Sequence, residues 1–178
     1  DVELSLESAY HLAHARFDDE ARANLRQCVE DTLESLRLKA DKAGLAMRND
    51  VDPAHEAVVS RQALMTAMRN IVRNAALHAA PATLVVESVP QGLRFTDTGP
   101  GIAPADLPNV FERYYSGRRA DQQAGERRPA PAAGVNQTGL GLAIAQRVCV
   151  IQSWRLEVAS PVKDGWGTCF TLTFGQGA

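Results

Sequence analysis

Apolar positions recur along this chain with two periods, one helical and one extended. Between residues 60 and 79, Leu64, Met68, Ile71 and Ala75 fall three or four residues apart, which gathers them on one side of a helix, and Leu77 is read as part of that helix's core side. Pro81 stops it. Val29, Leu33, Leu36 and Ala40 draw a similar stripe within a helix predicted over 21–43, whose first turn has room to be extended. Gly44 follows directly, as a helix C-cap does. Leu4, Leu6, Tyr10, Leu12 and Ala13 predict a further amphipathic helix over 2–17, ending near Phe17-Asp18-Asp19. Alternation takes over at Leu45 to Val51, a short strand closed by Asp52-Pro53. The runs LVVESV and LRFTD, parted by Pro90-Gln91-Gly92, predict a hairpin. A last helix, GLGLAIAQRVCVI, precedes the strands WRLEVAS and TCFTLTF, with Asp164-Gly165 and Gly167 in their connecting turn. Residues 116–138 are polar and rich in Gly, Pro and Arg, a mobile loop by composition. So long a loop is unusual in a compact domain unless it works as a lid. The expected fold is an α/β (α+β) two-layer sandwich, its mixed, mostly antiparallel sheet covered on one face by helices.

Composition narrows the classes. With 178 residues, 45% hydrophobic and 22% charged, the chain fits one packed domain. The net charge is −2 and no dense Lys/Arg block occurs, so no nucleic-acid partner is expected. Cys28, Cys149 and Cys169 are odd in number and widely spaced, which suits buried thiols in a reducing compartment. No apolar run approaches the roughly 20 residues that cross a bilayer. The acidic, helical start is unlike a signal peptide, and a soluble chain is expected.

Four segments carry candidate chemistry. Asn70, Asn74 and His78 are spaced by four and share one face of a helix. Amide oxygens are hard neutral ligands that magnesium accepts beside phosphates, although a solvated helix face would look the same. Asp97-Thr-Gly99-Pro-Gly101-Ile102 puts a carboxylate at a strand end beside backbone that a ligand can approach. That carboxylate can accept from an amino group, and the other reading is an ordinary tight turn. Phe111-Glu-Arg-Tyr-Tyr115 brings aromatics to the start of the long loop, to contact a base or to fill the core. Thr138-Gly139-Leu140-Gly141-Leu142 opens a helix, where backbone N–H groups and the helix dipole favour phosphate. Any one of these is weak.

In order and spacing, the four resemble the asparagine box, first glycine box, phenylalanine box and second glycine box of histidine kinase ATP-binding domains. That family is part of the ATPase superfamily shared with type II DNA gyrases, Hsp90-type chaperones and MutL proteins. The likeness covers residues 25–174 and includes Gly165-Trp-Gly167-Thr168-Cys-Phe170, similar to the family's final hairpin. YHLAHARFD resembles the end of a second dimerisation helix, which assigns 1–20 to a stub of that helix and 21–178 to the catalytic domain.

The resemblance implies an ATP site. Asn74 would hold Mg²⁺ bridging the phosphates, with Asn70 beside it as the catalytic candidate. His78 and Tyr115 would lie near the base, and Asp97 would accept the adenine amino group. Gly99, Gly101 and Ile102 would shape that pocket, and Thr138, Gly139, Leu140, Gly141 and Leu142 would line the phosphates. Implied partners are a dimerisation and histidine-phosphotransfer domain of the same kinase and a response regulator. The full-length protein would be a membrane-anchored homodimer, with this domain on the cytoplasmic side of the inner membrane.

Departures are equally specific. Hydrolytic members of the superfamily usually carry glutamate where this chain has Asn70, and asparagine is no general base, which favours transfer to histidine over a gyrase- or chaperone-like ATPase. Leu77 and Ser116 stand where basic residues are common, and Gln137 where glycine is frequent. Arg73, Arg113, Arg118 or Arg119 is left to compensate; failing that, the chain is a binding module with a degenerate pocket. His11 and His14 lack the flanking residues of a phosphoacceptor. The chain is therefore expected to bind ATP without phosphorylating itself, as a monomer or weak dimer.

Overall fold

The computed structural model describes Phe17, residues 19–113 and residues 139–175. The helix predicted over 2–17 lies outside them except for Phe17, which is buried in the core. The loop at 116–138 lies outside too, and with it Ser116, Arg118, Arg119, Gln137 and Thr138; so do Tyr115, His11 and His14.

Two sheets and three helices make up the described fold. A two-stranded ribbon pairs β1 (Glu20–Asn24) with β3 (Glu56–Ser60). The main sheet runs β2 (Leu45–Asp50), β4 (Ala82–Val89), β5 (Gly92–Asp97), β7 (Thr168–Thr173), β6 (Arg155–Ala159) from edge to edge. Only β2 and β4 are parallel; the other neighbours are antiparallel. The helices are α1 (Leu25–Ala43), α2 (Arg61–His78) and α3 (Gly141–Ile151), with a short 3₁₀ turn at Leu107–Asn109.

Each helix begins where its sequence says it should, with one correction. The turn 21–24, predicted as helix, is strand. Asn24 closes that strand, and its side-chain oxygen caps α1 by accepting from the Gln27 N–H at 3.0 Å. Glu, Ala and Arg are good helix formers, but pairing with β3, a strand the sequence did not reveal, decides the conformation. Gly44 ends α1 in the left-handed region, at φ 81°. Ser60 caps α2 through the Ala63 N–H at 3.0 Å, and the same hydroxyl donates to the Asp19 carboxylate.

Alternation then builds one core. Leu84, Val86, Leu93, Phe95, Phe170 and Leu172 are buried on one face of the sheet, while Glu87 and Arg94 are exposed on the other. The helices cover the buried face, and α2 packs against both α1 and α3. Ala63, Ala67 and Ala75 are buried along α2 among Leu64, Met68, Ile71 and Val72, small residues that let neighbours approach. Phe95 sits at the centre, between Val86 on β4 and Phe170 on β7, and is 1% exposed. Phe95→Ala should cost about 3–5 kcal/mol of unfolding free energy, read from urea titration. A loss below about 1 kcal/mol would mean the centre of the core lies elsewhere.

Candidate functional site

The site lies where α2, the end of β5 and the start of α3 meet. α2 brings Asn70, Asn74 and His78 to one side by its four-residue spacing. The Asn70 amide nitrogen donates to the Thr66 carbonyl at 2.9 Å, which leaves its oxygen as an acceptor. A Cβ built on Gly141 would lie 3.5 Å from that oxygen, so the first turn of α3 faces Asn70. Asn74 is half-buried and His78 exposed, in the last turn of α2.

Among the described residues no side chain caps α3, and helix N-termini offer their first-turn N–H groups to ligands. Leu140 and Leu142 are buried, 6% and 9% exposed; their side chains serve the core and only their backbone can line a ligand. Gly139 takes φ 60° at the entry to this turn.

Asp97 ends the central strand β5 and is 6% exposed. Its Oδ1 accepts from Gly99 N–H at 2.9 Å and Thr168 N–H at 3.2 Å. Its second oxygen receives no hydrogen bond among the described residues. Burial pushes its pKa above the ordinary carboxylate value, against the two N–H groups that lower it.

The turn after Asp97 is held by close backbone packing. A Cβ on Gly99 would lie 2.6 Å from Ala79 at the end of α2, so only glycine lets the turn touch that helix. Gly167 N–H donates to Gly99 O at 2.8 Å. At φ 85°, with a would-be Cβ 2.6 Å from Asp97 O, residue 167 also requires glycine. Ile102 is half-buried, and its N–H donates to Ser160 Oγ at 2.7 Å.

The aromatic segment 111–115 left two readings open, base contact and core filling. Phe111 packs edge-on against Phe170, ring centres 6.3 Å apart, which is the core-filling role; Tyr115 lies outside the described residues. Neither Ser160 nor the Thr168 N–H carries a sequence signal that marks it as part of the site. A pairing register of Asp97 with Thr168 would have revealed the second. The cysteines are quiet: burial raises the Cys28 thiol, and pushes Cys149 up to about 12.

Residues 59–177 match the family described as histidine kinase-, DNA gyrase B-, and HSP90-like ATPase. The chain belongs to that family. It is similar to the sensor-like histidine kinase SenX3 of Mycobacterium tuberculosis, 33% identical over 150 residues, covering 81% of this chain and 33% of SenX3. Among solved structures, the mycobacterial sensor histidine kinase MprB aligns with TM-score 0.64 at 25% identity, covering 85% of this chain and 95% of that one. The Acinetobacter baumannii histidine kinase AdeS aligns with TM-score 0.69 at 19% identity, over 97% and 76%. Within the family, the chain is an ATP-binding catalytic domain of the sensor histidine kinase type. It spans about a third of the length of SenX3.

The burial of Asp97 has a measurable consequence without nucleotide. Its folded pKa lies above its unfolded one, so the native state binds the proton more tightly and stability falls as pH rises through that window. Asparagine at 97 keeps an oxygen for the Gly99 and Thr168 N–H groups and carries no charge. Asp97→Asn should therefore raise the melting temperature of the nucleotide-free protein at neutral pH. The gain should vanish below the ordinary carboxylate range, where aspartate is protonated in both states. A variant less stable than the native chain at pH 7 would contradict the sign.

Proposed function

We propose that this domain holds ATP with Mg²⁺ and presents the γ-phosphoryl group to a histidine imidazole on a dimerisation domain, for onward transfer to a response regulator. The observation that carries this reading is the Asp97 oxygen that accepts from no described residue, on a buried side chain at the end of β5. An exocyclic amine such as that of adenine matches it. On this reading Gly99, Gly101 and Ile102 wall the base, His78 and Tyr115 lie near it, and Thr138 and Gly139–Leu142 receive the phosphates along α3. Asn70 and Asn74 fit a hard cation: neutral amide oxygens, the first facing the start of α3 while its nitrogen is held by the Thr66 carbonyl. Bound there, Mg²⁺ would neutralise phosphate charge, and Asn74 is the residue assigned to hold it.

Of residues 1–20, the part before Phe17 is assigned to the dimerisation helix that leads into this domain; Phe17 and Asp19 lie outside any helix, and Glu20 opens β1. The full-length protein is proposed to act as a membrane-anchored homodimer with this domain on the cytoplasmic side. No helix among the described residues is long and apolar enough to cross a membrane.

Calorimetry with ATP tests the site. Asp97→Asn replaces the free acceptor by a donor and should weaken binding by tenfold or more, on the order of one hydrogen bond to a charged group. Binding by the native chain should also fade as pH falls through the raised Asp97 pKa. Asn74→Ala should remove about tenfold of affinity with magnesium present and little without it. Supplied with a separate dimerisation domain, the loaded protein should form acid-labile phosphohistidine. ATP binding without phosphohistidine, or rapid phosphate release by this domain alone, would overturn the transfer.

A further inference from the structure

We infer that Ser160 is a positioning residue for base recognition, its hydroxyl joining the two backbone segments that aim the Asp97 carboxylate. Ser160 is half-buried, directly after β6. Its Oγ accepts from Ile102 N–H at 2.7 Å and donates to Gly167 O at 2.8 Å. Thr168 Oγ1 lies 3.4 Å away. A hydroxyl has one hydrogen and two acceptor sites. Gly167 O takes the hydrogen, Ile102 N–H fills one acceptor site, and the Thr168 hydroxyl fills the other. Ser160 has no capacity left for a ligand, so its role runs through its neighbours.

Those neighbours belong to the segments that hold Asp97. Gly99 N–H comes from the turn that ends at Ile102, and Thr168 N–H from the strand that follows Gly167. Beyond the end of the β5–β7 ladder at Asp97 and Thr168, the segments share one backbone bond among the described residues, Gly167 N–H to Gly99 O at 2.8 Å. Past the ladder, a single bond lets one segment pivot on the other. The Ser160 hydroxyl adds a second tie, and the turn wraps it so closely that a Cβ at Gly101 would come within 2.9 Å of Oγ. With both ties in place, the two N–H groups converge on Oδ1 and the other carboxylate oxygen keeps one direction. Without the hydroxyl, Ile102 N–H and Gly167 O lose their partner, the N–H groups drift and the free oxygen loses its aim. The start of α3, where phosphates are proposed to bind, is untouched.

This inference rests on Asp97 as the reader of the base amine, so the test separates the two. ADP and IDP differ in that IDP carries a 6-oxo group in place of the amine. Their dissociation constants with magnesium are measured for the native chain, Ser160→Ala and Ser160→Thr, with melting temperatures recorded alongside. The native chain should prefer ADP. Ser160→Ala should weaken ADP on the order of tenfold and IDP by less than about twofold, so the preference collapses; Ser160→Thr, which keeps the hydroxyl, should retain it. An unchanged preference in Ser160→Ala, or equal losses for both nucleotides with a lowered melting temperature, would make Ser160 merely structural and overturn the inference. A native chain that binds ADP and IDP equally would overturn the reading of Asp97 itself, and Ser160 with it.

Discussion

A carboxylate at the end of the central strand sets the terms for everything around it. Asp97 is almost wholly removed from water, which disfavours its charged form, and two N–H groups compensate only one of its oxygens. The other accepts from no group among the described residues. Such an imbalance lowers stability, and burying a donor ligand against it removes part of the penalty. The surrounding backbone follows from the same need. Gly99 and Gly167 allow two chain segments to close on Asp97 at distances no side chain would permit, and Gly99 presses the turn onto the end of α2. Recognition and folding therefore draw on the same contacts.

The opposite end of the site is made of weaker parts. Neutral amides on α2 and the uncapped start of α3 offer dipoles rather than charges. A helix terminus contributes about 0.3–1 kcal/mol toward an exposed anion, whereas a hydrogen bond from a cation reaches about 1.5–3 kcal/mol. Leu77, 38% exposed one residue before His78, adds no charge. Arg73 lies one turn earlier on the same ridge, exposed and outside any ion pair among the described residues. On the proposed reading, affinity at this end depends on magnesium and on Arg73 reaching along the helix, and the base end supplies specificity.

Much of this was legible in the chain, and the exceptions share a cause. α2 announced itself through its apolar period, except that Leu77, expected on its core side, is exposed two residues after Ala75; the β4–β5 hairpin did so through alternation around Pro90-Gln91-Gly92. Residues 21–24 did not, because a helix-forming segment became a strand by pairing with residues 56–60. β3 itself is short, with apolar neighbours at Val58 and Val59 that do not alternate. In the site, Asp97 and its glycines carry a side-chain signature. The Thr168 N–H carries none, since any residue but proline has one. Ser160 acts on Ile102 across 58 residues of sequence, a distance no local pattern encodes. Leu140 and Leu142 lie inside a legible motif, yet their side chains turn to the core.

What Asn70 and Asp97 can and cannot do bears on the reaction. An amide at Asn70 takes up no proton near neutral pH, and its nitrogen is committed to the Thr66 carbonyl. Asp97 is committed at Oδ1 and, on the proposed reading, occupied by the base at its other oxygen. Neither is placed to activate water, which needs a base to remove its proton. A neutral imidazole needs none: with an ordinary pKa near 6.5 it already carries a free lone pair at physiological pH. Phosphoryl transfer asks little of the protein beyond alignment and charge neutralisation. A domain that aligns ATP and withholds a base would thus leave it intact against water and reactive toward a histidine brought in line. Selectivity between those two acceptors would then arise from the nucleophile that arrives, rather than from a group that this domain must switch.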